Sequence, residues 1–117
     1  RLLEAADGLW LNVLHLHGTR VMFDLVADYP VQCINWHDRD TGLALSEGVE
    51  QFSGAVSGGV SRWSMLRESP EQALAEAEQA LQETGGRGLM LGVGCVIMTN
   101  TPTRNIRALR DFAGAGG

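Results

Sequence analysis

Short apolar runs alternate with helical stripes four times along this chain. Residues 10–16 (WLNVLHL) read as a strand buried on both faces. Residues 19–28 then place Val21, Met22, Leu25 and Val26 at helical spacing. Tyr29-Pro30 stops that helix, because the residue before a proline avoids the helical region. Residues 31–36 (VQCINW) form a second strand, followed by a polar turn over 37–42 and a short helix around 43–50. Residues 52–57 (FSGAVS) make a third, weaker strand ending in Gly58-Gly59.

The clearest helix spans 70–84. Ser69 is placed to cap it, Pro70 suits its first position and Gln72 completes a capping box. Ala73, Leu74, Ala77, Ala80 and Leu81 share one stripe, and Gly85-Gly86 ends it. Residues 88–93 (GLMLGV) are a fourth strand. Thr101 and Pro102 open a last helix, with Ile106, Leu109 and Phe112 on its buried side.

Strand followed by helix, four times over, predicts an α/β fold with a parallel sheet. Four such units make half of a (β/α)₈ TIM barrel, since a whole one typically needs ~250 residues. An open doubly wound sheet competes, but no GxGxxG glycine pattern follows the first strand. A half-barrel alone exposes two sheet edges, so the expectation is one barrel domain over 1–117 whose N-terminal half is missing. The start at Arg1 and the glycine-rich end, Gly114 to Gly117, agree with a piece of a longer chain.

Composition narrows the function classes. The chain has 44% hydrophobic and 20% charged residues, ordinary for a soluble domain. Net charge is −5 with no basic stripe, which argues against nucleic acid. Every basic residue other than histidine is arginine, so Schiff-base chemistry is excluded within the segment. No apolar run reaches the ~18–20 residues of a membrane span, and no signal peptide opens the chain. Two cysteines, Cys33 and Cys95, are too few for a disulfide framework, and a reducing cytoplasm is expected.

The chemistry gathers just past the strands, where a barrel keeps its site. His15 and His17 lie two apart and so point the same way from one strand. With Cys95 from the fourth strand end they make a three-ligand zinc set with one open position. The alternative is a histidine satisfied by hydrogen bonds and a small buried cysteine. In the run Asn35-Trp36-His37-Asp38-Arg39, His37 with Asp38 reads as general base and substrate anchor, and Arg39 as a carboxylate binder. The competing reading is a solvated turn in which Asp38 or Asp40 caps the next helix. Gly58 and Gly59 offer backbone N–H groups to an anion. Arg62 and Trp63 line a flat ligand or pack their loop, Cys33 is core, and Arg104, Arg107 and Arg110 form a solvated face.

At His15–Gly18, Asn35-Trp36, the 52–59 strand and GVGCVIMTNTPTRNI (92–106), the chain resembles the uroporphyrinogen decarboxylase superfamily. The resemblance implies a (β/α)₈ barrel, a homodimer when complete, with a small-molecule substrate. Decarboxylases of this group remove acetate carboxyls from a tetrapyrrole without a cofactor. Their last strand ends Gly-His-Gly, and that histidine falls on Gly94 here. The other branch moves a methyl group from a corrinoid to a thiol with zinc, and its motif resembles His-x-Cys-Gly plus a late cysteine. His15 and Cys95 match it, while His17 stands where that branch has cysteine.

On the superfamily resemblance, tetrapyrrole decarboxylation comes first, with Asn35, Trp36, Arg39, Gly58, Gly59, Arg62, Trp63 and Gly94 around the substrate. Zinc-dependent methyl transfer, with metal on His15, His17 and Cys95, is the alternative. A metal-dependent hydrolase and an inert half-barrel rank below both.

Overall fold

A computed structural model describes residues 2–115. Helix α1 (Leu2–Ala5) precedes strand β1 (Val13–Leu16), and a 3₁₀ turn at Phe23–Leu25 leads to β2 (Cys33–Trp36). Helix α2 (Leu45–Gln51), β3 (Ala55–Val60), α3 (Arg62–Arg67), α4 (Pro70–Thr84), β4 (Leu89–Val93) and α5 (Thr103–Ala115) follow. All strand pairs are parallel, and the sheet order β1-β2-β3-β4 follows the sequence. The result is an α/β arc of TIM-barrel type, the architecture that the alternating pattern predicts.

Along β2 the side chains alternate between the two faces, as a pleat requires. Ile34, Trp36 and Val56, all fully buried, point towards the helices and join Phe23, Leu45 and Phe52 in the main core. A second core holds Val60, Met65, Ala73 and Ala77, with Leu109 and Phe112 of α5 packed on it. Cys33 is buried and free, and burial raises its thiol pKa.

Several local expectations need correction. Strand β1 is an edge strand with Val13 half exposed, and Trp10 lies outside it at 88% exposure. Residues 19–28 do not form a helix. Phe23, which lies outside the predicted stripe, turns inward to meet Trp36 edge-on at 5.0 Å between ring centroids. That leaves Met22 and Leu25 largely exposed.

Gly58 and Gly59 lie within β3 instead of in a turn, at φ 159 and 107. A Cβ on Gly59 would sit 2.6 Å from the Ala80 methyl. Helix α4 therefore approaches so closely that only alanines fit beneath it: Ala73, Ala77 and Ala80 are buried while Leu81 faces outward. Ser69 precedes α4 without capping it, its hydroxyl being engaged with the Glu71 carboxylate. On α5, Ile106 is exposed, and the buried residue is Asn105. Its carboxamide donates to the carbonyls of Met65 and Glu68 and fastens α5 to the end of α3.

Candidate functional site

The residues that face away from the helices line the inner surface of the arc. His15 projects from β1 and His17 from just past it; Asn35 and His37 repeat the pattern on β2, in register with them. Cys95 follows β4 by two residues. One donor atom from each of His15, His17, His37 and Cys95 lies within 4.8 Å of the other three. The imidazole centroids are separated by 5.9 Å (His15–His17), 5.7 Å (His15–His37) and 4.9 Å (His17–His37). His15 and His17 are exposed, Cys95 is intermediate and His37 is buried.

Hydrogen bonding fixes which nitrogens are free. The Asn35 Nδ2 donates to the carbonyls of Ser57 (2.9 Å) and Val93 (3.1 Å), so its Oδ1 is turned towards His15. His15 Nδ1 must then donate across 2.6 Å to that oxygen, which leaves the lone pair on Nε2. His37 Nδ1 lies 3.5 Å from the Asp40 carboxylate, and its Nε2 lies 3.3 Å from His17 Nδ1. Burial lowers the His37 pKa; Asp40 opposes that shift, and the charges of Arg62, His17 and His15 add to it. Its neutral form, the one able to ligate a metal, is favoured at neutral pH.

The neighbouring residues divide differently from the sequence reading. Trp36, expected beside the substrate, points to the opposite face, where its indole N–H donates to the Leu43 carbonyl within the core. Asp38 shares that direction. It is buried, its carboxylate accepts the Gly59 N–H (3.1 and 3.2 Å), and it lies 3.5 Å from Arg39. Burial pushes its pKa up to about 6, against the pull of the Gly59 N–H and Arg39. The Gly59 N–H offered to an outside anion is thus taken by this chain's own carboxylate. Gly58 leaves space for the same group: a Cβ there would sit 2.3 Å from Asp38 Oδ1.

Arg39, expected to grip a carboxylate, is a strut instead. It donates to the Gly59 and Glu76 carbonyls and to Gln79 Oε1, tying β2 and β3 to α4. Trp63 carries the guanidinium groups of Arg62 and Arg67 over its ring at 4.8 and 4.7 Å. Arg62 keeps a buried Nε with no hydrogen-bond partner among the described residues, and its charge reaches His37. Gly94 has no room for a side chain, since a Cβ would meet the Trp36 carbonyl at 2.7 Å and His37 Cα at 3.0 Å. That approach brings the end of β4 beside the end of β2.

Two residues make other contacts than the sequence reading gave them, and a third, Glu76, escaped it. Asn35 holds His15 instead of substrate, and Asp40 faces His37 instead of capping a helix. Their spacing was the available signal, because Asn35 and His37 are two apart, like His15 and His17. Glu76 accepts from Ser61 N–H and Ser64 Oγ, which locks α3 to α4 below the site, and nothing local announces it.

Parallel strands with polar groups gathered at their C-terminal ends define a fold of the (β/α)-barrel class, in which candidate sites lie at that rim. More narrowly, the chain belongs to the uroporphyrinogen decarboxylase (URO-D) family, whose profile matches residues 4–115. Among solved structures it is similar to a methyltransferase from Methanosarcina mazei, with a TM-score of 0.79 at 25% identity. That similarity covers 98% of this chain and 34% of the methyltransferase, so the chain spans about a third of its length. No curated protein sequence matches. Among the described residues, no helix is long and apolar enough to cross a membrane.

Proposed function

We propose that this chain supplies the metal-holding half of a barrel enzyme that transfers a methyl group to a thiol. The carrying observation is the approach of His15, His17 and Cys95 donor atoms to within 4.8 Å. Two supports stand beside it. The methyltransferase similarity runs over nearly the whole chain. At Gly94, where decarboxylases of the family carry histidine, the backbone leaves no room for a side chain.

The donor set fits zinc, since imidazole and thiolate both suit it. Bound there, zinc would lower the pKa of a substrate thiol enough to make it a nucleophile at neutral pH. The protein's own part is to present those donors in fixed orientation. Asn35 sets the His15 tautomer, while the Asp38–Gly59–Arg39 lock holds the β2 end that the site is built on. Arg62, whose charge reaches His37, would attract the anionic end of a substrate.

The test is a zinc-loaded assay of the complete protein with a methylated corrinoid and a thiol. Methyl transfer lost in Cys95→Ser and His15→Ala is the expected result. Metal-free protein that decarboxylates a porphyrinogen would overturn the reading in favour of the lyase branch.

A further inference from the structure

His37 was read from sequence as a general base, but its surroundings suit a different task. We infer that His37 is a fourth protein donor to the metal, making the set three imidazoles and one thiolate, with Asp40 as its positioning residue. The inference rests on the metal-site reading above.

Three observations carry it. The first is register: β1 and β2 pair with a constant offset, His15 opposite Asn35, so His17 and His37 emerge together one residue beyond the last pair. The second is spacing. His37 Nε2 and His17 Nδ1 are 3.3 Å apart. Two nitrogens at tetrahedral angles on one zinc, each ~2.0–2.1 Å from it, are about 3.3 Å apart. That gap serves an N–H···N hydrogen bond in the metal-free chain and equals the separation the two nitrogens would keep on one cation.

The third is the far side of the ring. Asp40 Oδ2 lies 3.5 Å from His37 Nδ1, the carboxylate–histidine arrangement that sets tautomer and orientation in metal sites. Asn35 does the same for His15, so two of the three imidazoles have an acceptor facing their outer nitrogen. The Arg62 charge works against a cation here; the Cys95 thiolate and Asp40 work for it. With four protein donors, a substrate thiol would have to add to that set or take the place of one imidazole.

Cobalt(II) titration of the complete protein tests this, because band intensity reports coordination number and the charge-transfer band reports the thiolate. The unaltered protein is expected to bind one equivalent with the intense visible bands of a four-coordinate ion. His37→Ala should lower affinity at least ~10-fold and shift those bands in wavelength as one water takes the vacated position, and Asp40→Asn should lower affinity ~10-fold with the bands kept. His37→Gln, checked by circular dichroism, serves if the alanine variant does not fold. Unchanged affinity and bands without His37, while Cys95→Ser loses the metal, would overturn the fourth donor and leave the functional reading standing. No cobalt uptake by the unaltered protein would overturn both.

Discussion

Asn35 and His15 meet across the β1–β2 pair at 2.6 Å, and the direction of that bond is dictated from behind. Two backbone carbonyls occupy the Asn35 amide hydrogens, so only its oxygen can face the imidazole. Replacing Asn35 with alanine should free the His15 ring to rotate and change tautomer. Zinc affinity is expected to fall ~10–100-fold, read by competition with a chromophoric chelator. Asn35→Asp keeps the acceptor and should retain more affinity than Asn35→Ala. Equal losses in the two variants would mean that the bond to His15 is not what matters.

Asp38 makes stability depend on pH. Its pKa is about 6 in the fold against 3.8 when free. Between those values the folded chain holds a proton that the unfolded chain has released. Stability is therefore gained as pH falls from 6 towards 4, and the effect is absent below both values. The full effect is at most about 3 kcal/mol. Thermal melts of the metal-free protein from pH 4 to 8 should show this slope, and Asp38→Asn should flatten it.

Gly94 allows two strand ends to touch. An added methyl would sit 2.7 Å from the Trp36 carbonyl, a backbone atom that cannot swing aside. Gly94→Ala should cost about 1–3 kcal/mol in chemical denaturation, the range for overpacking. Cys95 should move away from the histidines with it, so metal affinity is expected to drop in the same variant.

Asn105 is a fastener between α5 and the end of α3. Its Nδ2 satisfies two carbonyls at the end of α3, one of them within the core. Asn105→Ala leaves both unpaired, an expected loss of about 1–3 kcal/mol. Metal affinity per folded molecule should not change, which separates this residue from Asn35.

Local signals served where local physics decides. Helix α4 begins at Pro70 and ends before Gly85, in the left-handed conformation that glycine favours, as its sequence predicts. The four strands appear in order, each shortened or shifted by a few residues. Long-range packing decided the rest. Nothing near Phe23 tells it to seek Trp36, and no spacing announces that Arg39 will reach α4. Helix α3 was missed because only six residues form it and its cap, Ser61 accepting from Trp63 N–H, resembles any serine turn. For the candidate site, strand-end logic located the residues, but their faces had to be counted. His15, His17, Asn35 and His37 share one parity, while Trp36 and Asp38 have the other and leave for the opposite side.

Strand β1 borders the sheet, and two of the four donors ride on it or immediately past it. Among the described residues, no strand pairs with the backbone groups along its outer rim. Any segment that pairs there would stiffen the ribbon on which His15 and His17 are mounted, and an ion held by those rings would stiffen the same ribbon from within. By thermodynamic reciprocity, each event makes the other easier by the same factor.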